Sequence, residues 1–149
     1  MTVEIVVSTT IAADKHQVWK AIEDIESHIT WMAEAVSITF LSEQRSGVGT
    51  EFECLTRIGP WRTIDKMRVT EWEPGSAIGI EHRGLVAGSG HFTLQEAGQR
   101  STEFCWRENL TFPWWFGGRL GERVGRGVLV KIWRNNLTKL RTQIEDGLT

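Results

Sequence analysis

Four polar residues interrupt otherwise apolar stretches in the middle of the chain. They are Asp65 in TIDKMRV, His82 in IEHRG, His91 in SGHFTL and Glu108 in WRENL. A carboxylate beside an imidazole in a partly desolvated space has three uses. It can transfer a proton near neutral pH, orient a ligand's polar end, or satisfy its neighbour structurally. Residue type leaves all three open. Other chemistries lack their spacing. His16, His28, His82 and His91 have no H-E-x-x-H pattern or closely spaced carboxylates, so no metal is expected. There is no G-x-S-x-G elbow, and Cys54 and Cys105 sit in no nucleophile context. Phosphate-cradling and dinucleotide fingerprints are missing, so no cofactor is expected. His16 and His28 read as surface residues of helices.

The elements that must position these residues follow from periodicity. Residues 3 to 12 alternate Val3, Ile5 and Val7 with polar positions, a strand pattern. Asp14 with Gln17 three residues later forms a capping box, and Ala13 and Val18 occupy staple positions. A helix striped by Val18, Ile22 and Ile25 follows, then a second short helix or turn over Ser27 to Met32. From 36 to 111 the period changes to two, broken by bends at Ser46–Gly49, Ile58–Trp61, Glu73–Ser76, Ala87–Gly88 and Ala97–Arg100. Six strands with short links imply an antiparallel meander. After Pro113 the chain reads as one long helix. A curved sheet with a single long helix available to cover it encloses a space between them.

Two-residue turns would fix the register. They place Phe52 opposite Met67, Cys54 opposite Asp65, Met67 opposite His82 and Asp65 opposite Gly84. They also place Gly84 opposite His91, His91 opposite Trp106, Thr93 opposite Phe104 and Ser89 opposite Glu108. The concave face then holds Phe52, Cys54, Met67, Phe104 and Trp106, with Asp65, His82, His91 and Glu108 as its polar members. Asp65 and His91 would flank the bare Gly84 at about 9–10 Å between backbones, close enough for their side chains to converge. Cys54 and Cys105 fall on opposite faces and remain thiols.

The stretch TFPWWFGGRLGERVGRG, residues 111 to 127, opens the last helix with two tryptophans and five glycines. Leu120, Val124 and Val128 continue at a spacing of four into Ile132 or Trp133, Leu137, Leu140 and Ile144, read as the inward stripe. Gly117, Gly121 and Gly125 recur every fourth residue. Each costs up to about 1 kcal/mol relative to alanine, which close approach to the sheet or room for a ligand would explain. Trp114 and Trp115 lie at the edge of the expected cavity, as lid, lipid-touching patch or plug.

The whole chain bounds these readings. At 149 residues, with 40% hydrophobic and 24% charged residues, it suits one globular domain spanning 1–149. Eight Trp, six Phe and no Tyr make indoles the main aromatic mass. A net charge of −2 with scattered basic residues argues against nucleic acid. No apolar run approaches the roughly 18 residues of a membrane span, so no stable membrane insertion is expected. No signal-peptide pattern opens the sequence, so a cytoplasmic location is the expectation. A monomer or weak homodimer is expected.

The order of one strand, two short helices, six antiparallel strands and a long C-terminal helix resembles the START-like helix-grip fold of the SRPBCC superfamily. The local text is similar too. IAADKHQVWKAIEDIESHITWM resembles the family's first strand and A-x-x-x-x-V-W helix. VTEWEPGSAIGIEHRG resembles its E-P turn, and RSTEFCWRENL its T-x-V-x-W strand, with Phe104 in the usual Val position. PWWFGGRLGERV resembles the glycine-rich entry to the last helix. The fold class implied is α+β, a curved seven-stranded antiparallel sheet around the C-terminal helix. The function implied is binding of a hydrophobic or amphipathic small molecule, lipid, polyketide or quinone-like, for carriage or sequestration. Polyketide cyclase or aromatase-like catalysis in the same cavity is one alternative, and a non-catalytic protein or membrane interaction module is another. The candidate cavity residues are Phe52, Cys54, Asp65, Met67, His82, His91, Phe104, Trp106, Glu108, Trp114, Trp115, Leu120, Val124 and Val128.

Overall fold

The computed structural model describes residues 2–113, 115 and 117–148. Strand β1 (Thr2–Ile11) leads into α1 (Lys15–Ile22) and a 3-10 helix (Ile25–Thr30). Strands β2 (Ala35–Phe40), β3 (Glu51–Ile58), β4 (Trp61–Glu73), β5 (Ala77–Arg83), β6 (Ala87–Glu96) and β7 (Thr102–Thr111) follow, and α2 (Gly118–Asp146) ends the fold. The seven strands form one antiparallel sheet in the order β1-β7-β6-β5-β4-β3-β2. Bulges beside Val36 and Thr70 interrupt the ladder and bend the sheet.

The two α-helices begin differently. The Asp14 carboxylate accepts the Gln17 backbone N–H at 2.8 Å, and Gln17 Oε1 accepts the Asp14 N–H at 3.0 Å. The reciprocal pair is worth about 1 kcal/mol and fixes where α1 begins. Helix α2 has no side-chain cap; Gly117 turns the chain with a left-handed φ of 93°.

The core is concentrated at one end. Ile5 and Ile11 of β1, Val18 and Ile22 of α1, and Leu137 and Leu140 of α2 are sealed together. Trp31, 1% exposed, is the hub, its ring meeting those of His28, Phe92, Phe104 and Trp106 at 5.4–6.4 Å between centroids. Each fully buried large side chain of this kind contributes about 1.5–3 kcal/mol. A smaller cluster of Ile25, Phe52 and Val69 closes the other end of the sheet.

The β4–β5 link, Pro74-Gly75-Ser76, holds three residues instead of the expected two, and the bulge beside Thr70 restores the expected pairing of Met67 with His82. The two links of β6 also differ from the expected two-residue turns. β5 and β6 are joined by Gly84-Leu85-Val86, so Ala87 and Gly88 lie in β6 instead of in a bend. Gly88 is there for backbone proximity: a Cβ on it would lie 1.9 Å from the Asn109 carbonyl oxygen. β6 and β7 are joined by the five residues 97–101, with Glu96 opposite Thr102. Both links are odd where even ones were expected. The first odd link turns β6 over relative to the expected faces, and the second restores β7. His91 therefore pairs with Gly79 and Arg107, not with Gly84 and Trp106, and Phe92 pairs with Trp106.

The first half of α2 also departs from expectation. Leu120, Val124 and Val128 are 75%, 61% and 43% exposed, whereas Trp133, Leu137, Leu140 and Ile144 are buried. At about 100° per residue, a spacing of four drifts by about 40° per step. Extrapolated back from Trp133, Val124 falls about 180° away, on the outer side of the helix.

Candidate functional site

A cavity of about 460 Å³ lies between the concave face of the sheet, the 3-10 helix and the first half of α2. Its walls are apolar, built by Phe52, Met67, Ile78, Ile80, Phe112 and Leu129 among others. Gly125 borders it with nothing but open space within 4 Å of where a Cβ would stand.

Polar residues on these walls form two hydrogen-bonded clusters. In the first, His82 Nε2 lies 2.8 Å from Glu108 Oε2, and Trp106 Nε1–H donates to Glu108 Oε1 at 2.9 Å. The Glu108 carboxylate occupies the space a side chain at Gly90 would take; a Cβ there would sit 2.4–2.6 Å from it. In the second, Trp133 Nε1–H and Asn136 Nδ2–H donate to the two oxygens of Glu34 at 2.8 and 2.6 Å. Asn136 Oδ1 in turn accepts the Ala33 N–H at 3.0 Å. The indoles of Trp106 and Trp133 stack at 4.6 Å with 19° between planes. One aromatic pair therefore presents a donor to each of two carboxylates, Glu108 buried and Glu34 half-buried. Farther along β4, Asp65 Oδ2 accepts the Thr56 hydroxyl at 2.8 Å, while Asp65 Oδ1 is buried without a partner.

Environment sets the protonation of these groups. Burial alone would lower the His82 pKa, but the hydrogen bond and charge of Glu108, joined by the charge of Asp65, raise it. Burial raises Glu34, against the opposing hydrogen bonds from its own backbone, Asn136 and Trp133. Burial pushes the Cys54 thiol up to about 11, so it is not a thiolate nucleophile. His28 is lowered by burial, with Nε2 2.8 Å from the Ile22 carbonyl oxygen. No group of three or more His, Cys, Asp or Glu among the described residues is placed to hold a metal ion.

Of the residues singled out from sequence, Phe52, Cys54, Asp65, Met67, His82, Trp106, Glu108 and Val128 border this cavity. His91 borders it too, but its side chain lies over Gly79 on the convex face, because β6 presents Gly90 and Phe92 inward. The expected convergence of Asp65 and His91 is therefore replaced by the His82–Glu108 pair. Phe104 is fully buried, packed on Trp31 and Phe92 in the core and not on the cavity. Trp115, 53% exposed, Leu120 and Val124 lie outside the cavity wall. Trp114 lies outside the described residues. His28, expected at the surface, is 7% exposed and borders the cavity.

Sequence reasoning missed Glu34, Asn136 and Gly90. Asn136 carried a signal, a polar residue three beyond Trp133 and one before Leu137 on the inward stripe. Glu34 stands alone in the apolar run WMAEAV, where a carboxylate drawn inward must find hydrogen-bond partners.

A curved antiparallel sheet gripping a C-terminal helix, with a mostly apolar cavity between them, defines a START-like helix-grip protein. The chain matches the model of the family described as polyketide cyclase/dehydrase and lipid transport over residues 2–145, and it belongs to that family. No curated protein sequence matches it significantly. Among solved structures, it is similar to the Zhui aromatase/cyclase from Streptomyces sp. R1128 (TM-score 0.83, 12% identity, covering 100% of this chain and 97% of that one). It is also similar to a START superfamily protein from Mycobacterium smegmatis (TM-score 0.79, 14% identity, 98% and 99%). A protein from Thermus thermophilus aligns with a TM-score of 0.81 at 15% identity, covering 99% and 100%. At these identities the likeness is one of fold.

Proposed function

We propose that the protein reversibly binds a hydrophobic or amphipathic small molecule in the cavity between sheet and helix. The observation that carries this reading is the cavity itself: about 460 Å³ of apolar-walled space holding a few hydrogen-bonded polar groups. Protein interiors are otherwise close-packed, and a space of this size is in the range of small-ligand sites. The open space beside Gly125 supports the same reading, since a glycine in mid-helix there serves no close contact. Titration with uncharged apolar fluorophores tests it. Nile red should brighten and saturate at one site per chain, and ligands should quench the stacked Trp106 and Trp133. Titrations without saturation, and without any rise in thermal midpoint, would remove the proposal.

A cyclase-like activity is a second reading, favoured by one observation. His82 and Glu108 form a hydrogen-bonded pair, 13% and 5% exposed in their side chains, at the cavity wall. Such a pair can accept and return a proton to a chain folded against the apolar walls. Turnover of a poly-β-ketone substrate, lost in Glu108→Gln while Nile red affinity is kept, is the expected result under this reading.

A further inference from the structure

We infer that the ligand is uncharged at its polar end and donates a hydrogen bond there, as a hydrophobic alcohol or phenol does, and that free carboxylates are rejected. This rests on the binding function proposed above and names its substrate class.

Most of the donors on the cavity wall are already engaged. The Trp106 and Trp133 indole N–H groups, the Asn136 amide, the Thr56 hydroxyl and His82 Nε2 all face carboxylates of the site. What the wall still presents is mainly acceptor capacity. A carboxylate has about four lone-pair sites, and the bonds above occupy two on Glu108, two on Glu34 and one on Asp65. Asp65 Oδ1 is buried and receives no hydrogen bond. A buried acceptor left unmade is costly, and a ligand donor placed beside it removes that cost.

Charge points the same way. Asp65 and Glu108 border the cavity as carboxylates, burial pushes Glu34 toward its neutral form, and among the described residues on the wall His82 is the group held toward its cationic form. His28 is kept neutral by burial and turned to the Ile22 carbonyl. His91 has its ring on the convex face, and Arg62, though it borders the cavity, is exposed. His82 Nδ1 remains able to donate, but the negative charges of Glu108 and Asp65 act on the same ring and offset what it would offer an anion. A ligand carboxylate brought into this space meets the like charges of Asp65 and Glu108 under reduced screening. A hydroxyl meets acceptors.

Displacement of Nile red by decanol, its methyl ether and decanoate, at about pH 7.5 where the acid is ionised, tests the inference. Decanol should bind at least tenfold tighter than decanoate and several-fold tighter than the ether. Asp65→Asn should strengthen decanoate several-fold and weaken decanol, which exchanges a carboxylate acceptor for a weaker amide oxygen. Decanoate binding as tightly as decanol overturns the charge argument, and an ether equal to the alcohol overturns the donor argument. Both results leave cavity binding standing. Unchanged selectivity in Asp65→Asn overturns the role given to Asp65; should that variant not fold, the wild-type series decides alone. No binding of Nile red or of any decyl compound overturns the binding function itself, and this inference with it.

Discussion

Glu108 is 4% exposed in a nearly apolar wall, and it sits there because Gly90 opposite it has no side chain. The pair is a steric lock on an electrostatic group. Gly90→Ala should force the carboxylate off Trp106 Nε1 and His82 Nε2, costing about 1–3 kcal/mol in chemical denaturation. A cost near zero would show that the carboxylate has somewhere else to go. The pH dependence follows from the same contact. The folded-state pKa of His82 is raised above its ordinary 6.5, so the stability it contributes is fully present below about pH 6.5. That stability is lost as pH rises through the folded value. Glu108→Gln removes the larger of the two charges that raise it and leaves burial, which lowers it, opposed by Asp65 alone. The difference in unfolding free energy between wild type and Glu108→Gln should thus be widest on the acid side and shrink with rising pH. His28 is common to both proteins and cancels. A difference that grows with pH would contradict the assigned direction.

At the scale of elements, α2 is two helices in one. From Trp133 onward its inner stripe is core; before that, Gly125, Val128 and Leu129 border a cavity. Gly125→Phe should therefore fold at least as well as wild type, gaining up to about 1 kcal/mol from removal of a mid-helix glycine. It should also weaken Nile red binding at least tenfold by occupying the space beside the helix. Unfolding curves and titrations on one sample check both halves. The split in α2 also explains what could be read in advance. The element order, the capping box at Asp14 and the second-half stripe are local patterns, and each was legible. The concave faces of β3, β4 and β7 were legible too, because Phe52, Met67, Phe104 and Trp106 alternate with charges. The face of β6 was not. It depends on whether two links hold odd or even numbers of residues, and glycines at 84, 88 and 98 are compatible with either. Gly88 and Gly90 look like turn or strand-weakening residues in sequence. In space they admit the Asn109 carbonyl and the Glu108 carboxylate. Glu34 and Asn136 lie 102 residues apart, and no local rule joins them.

Across the whole molecule, stability and binding occupy different ends. The packed end joins β1, α1, β6, β7 and the second half of α2 through Trp31, Phe104, Leu137 and Leu140. The hollow end has β3, β4 and β5 facing the first half of α2 across open space, closed by the small Ile25, Phe52 and Val69 cluster with partly buried neighbours such as Ile38 and Met67. Removing atoms has different consequences in the two places. Leu137→Ala opens a new void in close-packed surroundings and should cost about 2–5 kcal/mol. Met67→Ala merely enlarges a space that already exists, so it forfeits little beyond its own partial burial, on the order of 1 kcal/mol. Binding should respond in the opposite order. A ligand at a hundredfold excess over its Kd adds about 2.7 kcal/mol to a folded protein that contains an intact site. Leu137→Ala should keep that increment with decanol in urea unfolding, although its midpoint without ligand falls. Met67→Ala should keep most of its midpoint and lose most of the increment, since the wall that contacts the apolar chain is reduced. Two variants that lose stability and increment in the same proportion would mean that cavity and core are one cooperative unit, and that the hollow end is held open by the same packing that holds the fold together.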